Sequence, residues 1–94
     1  MNTTNLSSRF ALGQILVAPD AEAQLETAEV RAALRRHARG DWGEASPAEV
    51  ADNELSLRED GGVRSIFRDR RDAKFCVLTN GNRSATLVVT GTGE

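Results

Sequence analysis

The sequence has few of the side chains that bind metals or carry out covalent catalysis. Its 94 residues include one cysteine, one histidine, one tryptophan and no tyrosine. A single cysteine excludes an internal disulfide, and the apolar run around Cys76 predicts a buried thiol. The scattered carboxylates match neither zinc nor calcium spacing, and no glycine-rich loop has the flanks of a phosphate-binding loop. We therefore expect no metal and no cofactor.

Long apolar runs and a strong charge of one sign are also missing. The longest apolar segment, around Ile15–Ala18, is far too short to span a bilayer, and residues 1–8 lack the blocks of a signal peptide. The formal net charge is −2, so attraction to nucleic acid requires a local basic patch. These absences predict a cytoplasmic protein without a membrane partner.

The composition is that of an ordinary globular protein, with 39% hydrophobic and 28% charged residues. The length allows one domain with a modest core, which a homodimer would help to stabilise. We expect a flexible segment over residues 1–9, a single domain over 10–90 and a flexible tail over 91–94.

The first half of the domain is predicted as a strand followed by one or two helices. The apolar run Phe10–Ala18 suits a largely buried strand with a bulge or a close backbone approach at Gly13. Asp20 is suited to cap a short helix over 21–25. A longer helical pattern covers about 27–38, and Gly40 is suited to the left-handed position that closes it.

The second half is predicted as a capped helix followed by three strands. Ser46–Glu49 has the pattern of a capping box, and it begins a helix that ends near Leu57. Strands over 63–68, 74–79 and about 84–90 follow, the last two joined by a hairpin turn. The order predicts an α+β domain with two or three helices. A three-stranded antiparallel meander and the first strand form a four-stranded sheet, with the helices packed on one face.

The segment from His37 to Gly43 concentrates rare residue types between two helices. Trp42 either anchors a partner or fills the corner between the helices, and Asp41 either faces a ligand or accepts backbone hydrogen bonds. We favour the structural interpretation, with His37 at the buried edge of its helix. His37 and Asp41 are also spaced to pair as a catalytic base and its orienting carboxylate, although no nucleophile accompanies them.

Arginines supply a second candidate surface, which would contact nucleic-acid phosphates. Three of them form a stripe on the second helix, and three lie around the first turn of the meander. They are Arg31, Arg35, Arg39, Arg68, Arg70 and Arg71. Acidic neighbours interrupt the second group, and few aromatic residues are available for base stacking, so we favour a solvated charged surface.

Four short blocks lie in a distinctive order and spacing between Phe10 and Val89. They are Phe10–Ile15, Arg36–Gly43, Asp52–Leu57 and Asn82–Thr86. Together they resemble small "plasmid-related" proteins of bacterial plasmids, phages and integrative mobile elements. The turn at 80–83 and the non-aromatic carboxyl end depart from that pattern. The resemblance implies a mobile-element setting and little mechanism.

The resemblance also implies a set of polar site residues. They form either a partner-binding patch or an internal polar network, and these two interpretations stay open. The residues are His37, Asp41, Trp42, Asn53, Glu54, Arg64, Ser65, Arg83 and Ser84.

Our leading hypothesis is a non-enzymatic protein-binding module of a bacterial mobile element. Its partner is a host or element-encoded protein, and it acts as a regulator or as an anti-CRISPR-like inhibitor of host defence. Small size, acidic balance and missing catalytic motifs motivate this hypothesis. The alternatives are a nucleic-acid-binding regulator that uses the arginine surface, and a small hydrolase or nuclease centred on His37 with Asp41 or Glu54.

Overall fold

The computed structural model describes residues 8–92, and these form three helices and one four-stranded sheet. In chain order the elements are β1 (Gln14–Val17), α1 (Pro19–Gln24), α2 (Thr27–Ala38), α3 (Pro47–Glu59), β2 (Val63–Arg68), β3 (Lys74–Thr79) and β4 (Ala85–Thr90). The predicted α+β class and the four-stranded sheet are confirmed.

The strands follow the order β1-β4-β3-β2 across the sheet. β2 pairs antiparallel with β3, and β3 pairs antiparallel with β4. β1 pairs with β4 in parallel, and the long connection that such a pair requires contains three helices and two strands. The sheet is therefore mixed, and the antiparallel pattern describes only three of its four strands.

The hydrophobic core lies between α1, α2 and one face of the sheet. Alternate residues of each strand point to this face. The core cluster consists of Ala21, Leu25, Ala33, Phe67, Phe75, Val77 and Val88. Burying these side chains is the main source of stability for a domain of this size.

Local signals set the ends of α2 and α3. Ser46 caps α3, and its hydroxyl accepts a hydrogen bond from the backbone N–H of Glu49, as the capping-box pattern predicts. The helix ends at Asp60, which has a left-handed φ of 59°. After α2, Gly40 has a φ of 83°, as predicted for the closing residue.

Two predicted boundaries in the first half are wrong. The strand predicted over Phe10–Ala18 is confined to Gln14–Val17, because Gly13 takes a left-handed φ of 66° and breaks the extended run. The strand is also largely exposed and not buried, because it lies at the edge of the sheet. Asp20 is not the N-cap of α1, because the helix begins at Pro19, two residues before the predicted start, and Ala18 occupies the cap. The Asp20 carboxylate accepts hydrogen bonds from the backbone N–H of Ala21 at 2.9 Å and from the Thr90 hydroxyl at 2.8 Å.

Arg9, the last residue of the segment predicted to be flexible, contacts the helical part of the domain. The backbone N–H of Arg9 donates to the carbonyl oxygen of Ala38 at 2.7 Å. Arg9 is therefore attached to the end of α2. The rest of that prediction falls mainly on residues 1–7, which lie outside the described residues, as do residues 93–94 of the predicted tail.

The outer edge of β2 is covered by hydrogen bonds from outside the sheet. The Asn53 side chain of α3 donates to the carbonyl oxygen of Arg64 at 2.8 Å and accepts from its N–H at 3.1 Å. Two residues on, the N–H of Ile66 donates to the Trp42 carbonyl, and its carbonyl accepts from the Glu44 N–H. These contacts satisfy backbone groups that an edge strand otherwise leaves unpaired.

We expect Asn53→Ala to lower the free energy of unfolding by about 1–3 kcal/mol, because both backbone groups of Arg64 lose a partner. Chemical denaturation measures this change. The exposed neighbour Asp52 provides the control, and Asp52→Ala should change stability by less than about 0.5 kcal/mol. Equal losses for the two variants would contradict the edge-covering role of Asn53.

Candidate functional site

A buried corner forms where α2, the loop after it and the segment before β1 meet. His37 is fully buried, and Trp42 is only 4% exposed. The Phe10 ring lies edge-on to His37, with 5.2 Å between the ring centroids, and stacks on Trp42 at 6.0 Å. Trp42 thus fills the corner, as the structural interpretation predicts, and does not form an exposed anchor.

His37 stands at the centre of a chain of buried hydrogen bonds. Its Nδ1 lies 2.5 Å from Ser65 Oγ on β2, and its Nε2 lies 2.8 Å from Thr79 Oγ1 on β3. Thr79 Oγ1 is 2.7 Å from Thr86 Oγ1 on β4. The Thr86 hydroxyl then donates to the carbonyl oxygen of Leu12 at 2.7 Å.

The carbonyl at the end of this chain fixes the direction of each hydrogen bond. Because the Leu12 oxygen only accepts, the one hydroxyl proton of Thr86 is used there, and Thr86 must accept from Thr79. Thr79 in turn accepts from His37. The neutral ring therefore carries its proton on Nε2. Its Nδ1 then accepts from the Ser65 hydroxyl at 2.5 Å and is a much closer acceptor than the Asp41 carbonyl oxygen at 3.4 Å.

Burial keeps this histidine neutral. Desolvation and, to a smaller extent, the positive charge of Arg83 lower the pKa of His37 to about 4. Both ring nitrogens are occupied, and the ring has no exposed surface. A general base must come within hydrogen-bond reach of its substrate, so this geometry gives no support to a hydrolase or nuclease centred on His37.

Asp41 does not form the predicted pair with His37. Its carboxylate binds Arg36, with 2.7 Å between Nε and Oδ2, and accepts from the backbone N–H of Gly43 at 3.0 Å. The hydrogen bond from Arg36 lowers the pKa of Asp41. Asp41 therefore holds the loop after α2 in place, as the alternative of backbone acceptance predicts.

Glu54 is also occupied within the molecule. The Arg9 guanidinium donates to its two oxygens at 2.8 and 2.7 Å, and Trp42 Nε1 donates to it at 3.0 Å. The hydrogen bonds from Arg9 and Trp42 lower its pKa to about 2. The sequence gives no sign that Arg9 binds Glu54, because Arg9 belongs to the polar segment 1–9 that is predicted to be flexible.

The remaining predicted partner-binding residues have internal partners as well. Arg83 donates to the carbonyl oxygen of Gly61 at 2.7 Å, near the end of α3. Arg64 pairs with Glu49 and donates to the carbonyl oxygen of Thr92 at 2.9 Å. Asn53 lies on the edge of β2, Ser65 contacts His37, and Ser84 Oγ accepts from Asn80 at 2.8 Å, so all nine predicted residues make hydrogen bonds within the molecule.

The structure separates the arginines of the predicted nucleic-acid surface into those that form ion pairs and those that do not. Arg68 pairs with Glu44 at 2.9 Å, and Arg70 pairs with Glu26 at 2.7 Å. The exposed arginines without an ion pair among residues 8–92 include Arg31, Arg35, Arg39 and Arg71. The first three form a stripe along α2, which packs on the core face of the sheet.

The opposite face of the sheet carries a row of three leucines, two of them exposed and one half-buried. Leu16, Leu87 and Leu78 lie side by side on β1, β4 and β3, and we call them the leucine row. Leu16 is 44% exposed and Leu87 is 39% exposed. A groove of about 580 Å³ runs over the row and is also lined by Asn53 and Ala85.

Sequence reasoning missed the leucine row, although a signal for it exists. β3 contains the unbroken apolar stretch 75–78, and β4 contains 87–89. A sheet with one solvated face alternates apolar and polar residues, whereas an unbroken run is typical of strands covered on both faces. The runs therefore indicate that both faces of these strands are apolar.

Other predicted properties concern the cysteine, metals and membranes. Cys76 is buried as predicted, and burial raises its pKa to about 11. Among residues 8–92, no three histidine, cysteine or acidic side chains are grouped as metal ligands would be. In the same range, no helix has both the length and the apolar character needed to cross a bilayer.

We expect acid to destabilise the protein through His37. Its folded-state pKa of about 4 lies below the ordinary value of 6.5, so the unfolded chain binds the proton first. The depressed pKa of His37 therefore contributes to the free energy of unfolding. That contribution is fully present above pH 6.5 and is lost as the pH falls towards 4. The loss between pH 7 and pH 5 should be about 2 kcal/mol, measured by chemical denaturation.

The control for this prediction is His37→Gln, which removes the titrating group. Its stability should change much less between pH 7 and pH 5. Because the chain has one histidine, its ring resonance in the NMR spectrum reports the folded-state pKa directly. A value near 6.5 would contradict the neutral, buried ring.

Comparisons with protein-family models, curated proteins and solved structures found no significant match to this chain. The resemblance to plasmid-related proteins therefore stays a prediction, and the case for a function depends on the geometry of the chain itself.

Proposed function

We propose that this protein is a non-enzymatic protein-binding module whose binding surface is the face that carries the leucine row. The observation that carries the proposal is the solvent exposure of Leu16 and Leu87, which lie beside Leu78 in one register. Exposed apolar groups that adjoin one another are typical of interaction sites.

The composition of the strands is that of a sheet covered on both faces. In β3, Phe75 and Val77 belong to the core, while Cys76 and Leu78 point to the opposite face. Both faces are thus apolar, yet the core helices α1 and α2 pack on only one of them. A partner seated on the leucine row would give the second face the cover that its composition suits.

The lining of the groove favours a protein partner. Its apolar lining includes three leucines, Val63 and Ala85, and the neutral amides of Asn53 and Asn80 are already hydrogen-bonded within the fold. Arg64 also lines the groove, but its guanidinium already pairs with Glu49. The groove therefore suits apolar side chains on a polypeptide better than phosphates.

The shape of the molecule is compatible with such an interface. Its principal extents are 36 × 33 × 19 Å, so it is a flat slab with the leucine row on one broad side. A standard protein interface covers about 800 Å² on each partner, which a side of this size can supply.

The resemblance to plasmid-related proteins supports a partner encoded by the bacterial host or by a mobile element. Regulation of that partner, including anti-CRISPR-like inhibition of host defence, is the activity we propose for the module. Binding alone would carry this activity, since His37, Asp41 and Glu54 are all engaged within the fold.

We expect Leu87→Lys to abolish capture of a protein partner, because it places a charge in the middle of the leucine row. The tagged chain is incubated with nuclease-treated bacterial lysate, and recovered proteins are identified by mass spectrometry. Arg35→Ala on α2 is the matched surface control and should recover the same partner as the unchanged chain. Equal recovery by Leu87→Lys, or no partner beyond the tagged chain, would refute the proposal.

A second candidate function is nucleic-acid binding through the arginine stripe on α2. The observation that favours it is the absence of ion pairs for Arg31, Arg35 and Arg39 among residues 8–92. Unpaired guanidinium groups along one helix face are free to contact phosphates. The stripe and the leucine row lie on opposite sides of the sheet. A substitution in one surface therefore tests that surface and leaves the other unchanged.

For nucleic-acid binding, we expect the logarithm of the association constant to fall with the logarithm of salt concentration. Three phosphate contacts give a slope of about −2.7 on duplex DNA. Fluorescence anisotropy with a labelled duplex measures this slope. Arg35→Ala should make it shallower by about 0.9, whereas Leu87→Lys should not make it shallower. Binding that does not depend on salt, or no binding, would dismiss this candidate.

A further inference from the structure

We propose that two copies of this chain associate through the outer edges of β1. The two β1 strands pair antiparallel across a two-fold axis, and the two four-stranded sheets become one sheet of eight strands. This inference does not depend on the proposed partner, because it concerns the edge of the sheet and not the groove over its face.

The two edges of the sheet differ sharply. Asn53 and the loop after α2 occupy the outer backbone groups of β2. The outer edge of β1 has no such cover: among residues 8–92, no chain segment or side chain forms a hydrogen bond with it. An uncovered edge offers unpaired N–H and C=O groups to another strand.

The hydrogen bonds of β1 show which residues face outwards. The N–H of Gln14 donates to Ser84 O at 2.9 Å, and the N–H of Ala18 donates to Val88 O at 2.9 Å. Even-numbered residues of this strand therefore bond to β4. Since neighbouring residues direct their backbone groups to opposite sides, Ile15 faces the outer edge, and so does the next odd-numbered residue.

These outward residues select one antiparallel register. Ile15 pairs with Val17 of the second copy, and the symmetric pair forms on the other side of the axis, giving four backbone hydrogen bonds. A register centred on Val17 would place Pro19, which has no N–H, opposite Ile15. A register centred on Ile15 would use Gly13, whose φ of 66° lies outside the strand.

The side chains of β1 also favour a second copy as the occupant. No charged residue lies between Arg9 and Asp20, so pairing the strand with itself brings no like charges together. Ile15 is 40% exposed on one face of the strand, and Leu16 is 44% exposed on the other. The strand lacks the charges that usually keep sheet edges from pairing.

The selected register places Leu16 directly opposite Leu16 of the second copy. Both copies then have their helices on the same side of the joined sheet, and the two leucine rows meet at the axis to form one continuous apolar strip. Four-residue edges give a small interface, so we expect a dissociation constant on the order of micromolar.

The first test measures oligomeric state by sedimentation velocity across a range of protein concentrations. We expect a monomer–dimer equilibrium for the unchanged chain and a monomer for Ile15→Pro, which removes an outward N–H without removing a bond to β4. Leu87→Lys is the matched control on the sheet face and should remain dimeric. Ile15→Lys adds a charge to the edge without changing the backbone and should also be monomeric, which covers the case in which proline unfolds the chain.

The second test measures the register itself. Leu16→Cys should form an intermolecular disulfide under mild oxidation, because directly opposed residues in a non-hydrogen-bonded pair have Cα atoms about 4.5 Å apart. Ile15→Cys should cross-link far less, since its opposite residue is Val17. A monomer at every concentration would overturn the proposal. So would a dimer that Leu87→Lys disrupts and the Ile15 variants do not, or equal cross-linking by the two cysteine variants.

Discussion

The fold depends on one buried polar side chain having all its partners. His37 brings a hydroxyl from β2 and a hydroxyl from β3 to its two ring nitrogens, and the chain continues through Thr86 to the segment before β1. A half-satisfied network of this kind is costly in a dry interior, so the pieces must assemble in one arrangement. The network thus specifies how α2 sits on the sheet more narrowly than apolar contacts alone would.

The need of buried polar groups for hydrogen-bond partners also accounts for most of the polar residues that look functional in the sequence. Trp42 donates its indole N–H to Glu54, and Arg9 neutralises that carboxylate. The polar groups of the buried corner are bound to neighbours in the fold. Among residues 8–92, three surfaces keep groups without a partner: the arginine stripe on α2, the leucine row and the outer edge of β1. The functions that we propose therefore rest on surfaces that the core does not cover, and not on the residues that are rarest in the sequence.

The sequence predicts local features well and distant partners poorly. The bounds of β2 and β3 and the capping box at Ser46 follow from alternation and short-range hydrogen bonding, and the structure reproduces them. The hydroxyls that bind His37 lie 28 and 42 residues away along the chain, so no local pattern connects them. Gly13 signals a bulge or a close backbone approach in the sequence, and its backbone does lie against that of Ser84, but apolar content alone does not reveal that the strand begins only after it.

The parallel pairing of β1 with β4 has a consequence for synthesis. Gln14 aligns with Ala85, so β1 leaves the ribosome long before the strand that receives it. At about 5–20 residues per second, the intervening chain takes roughly 4–14 s to make. During that interval the nascent apolar strand has no native neighbour. Contacts this distant in sequence also slow folding of the finished chain, so early encounters between nascent strands compete with completion of the sheet.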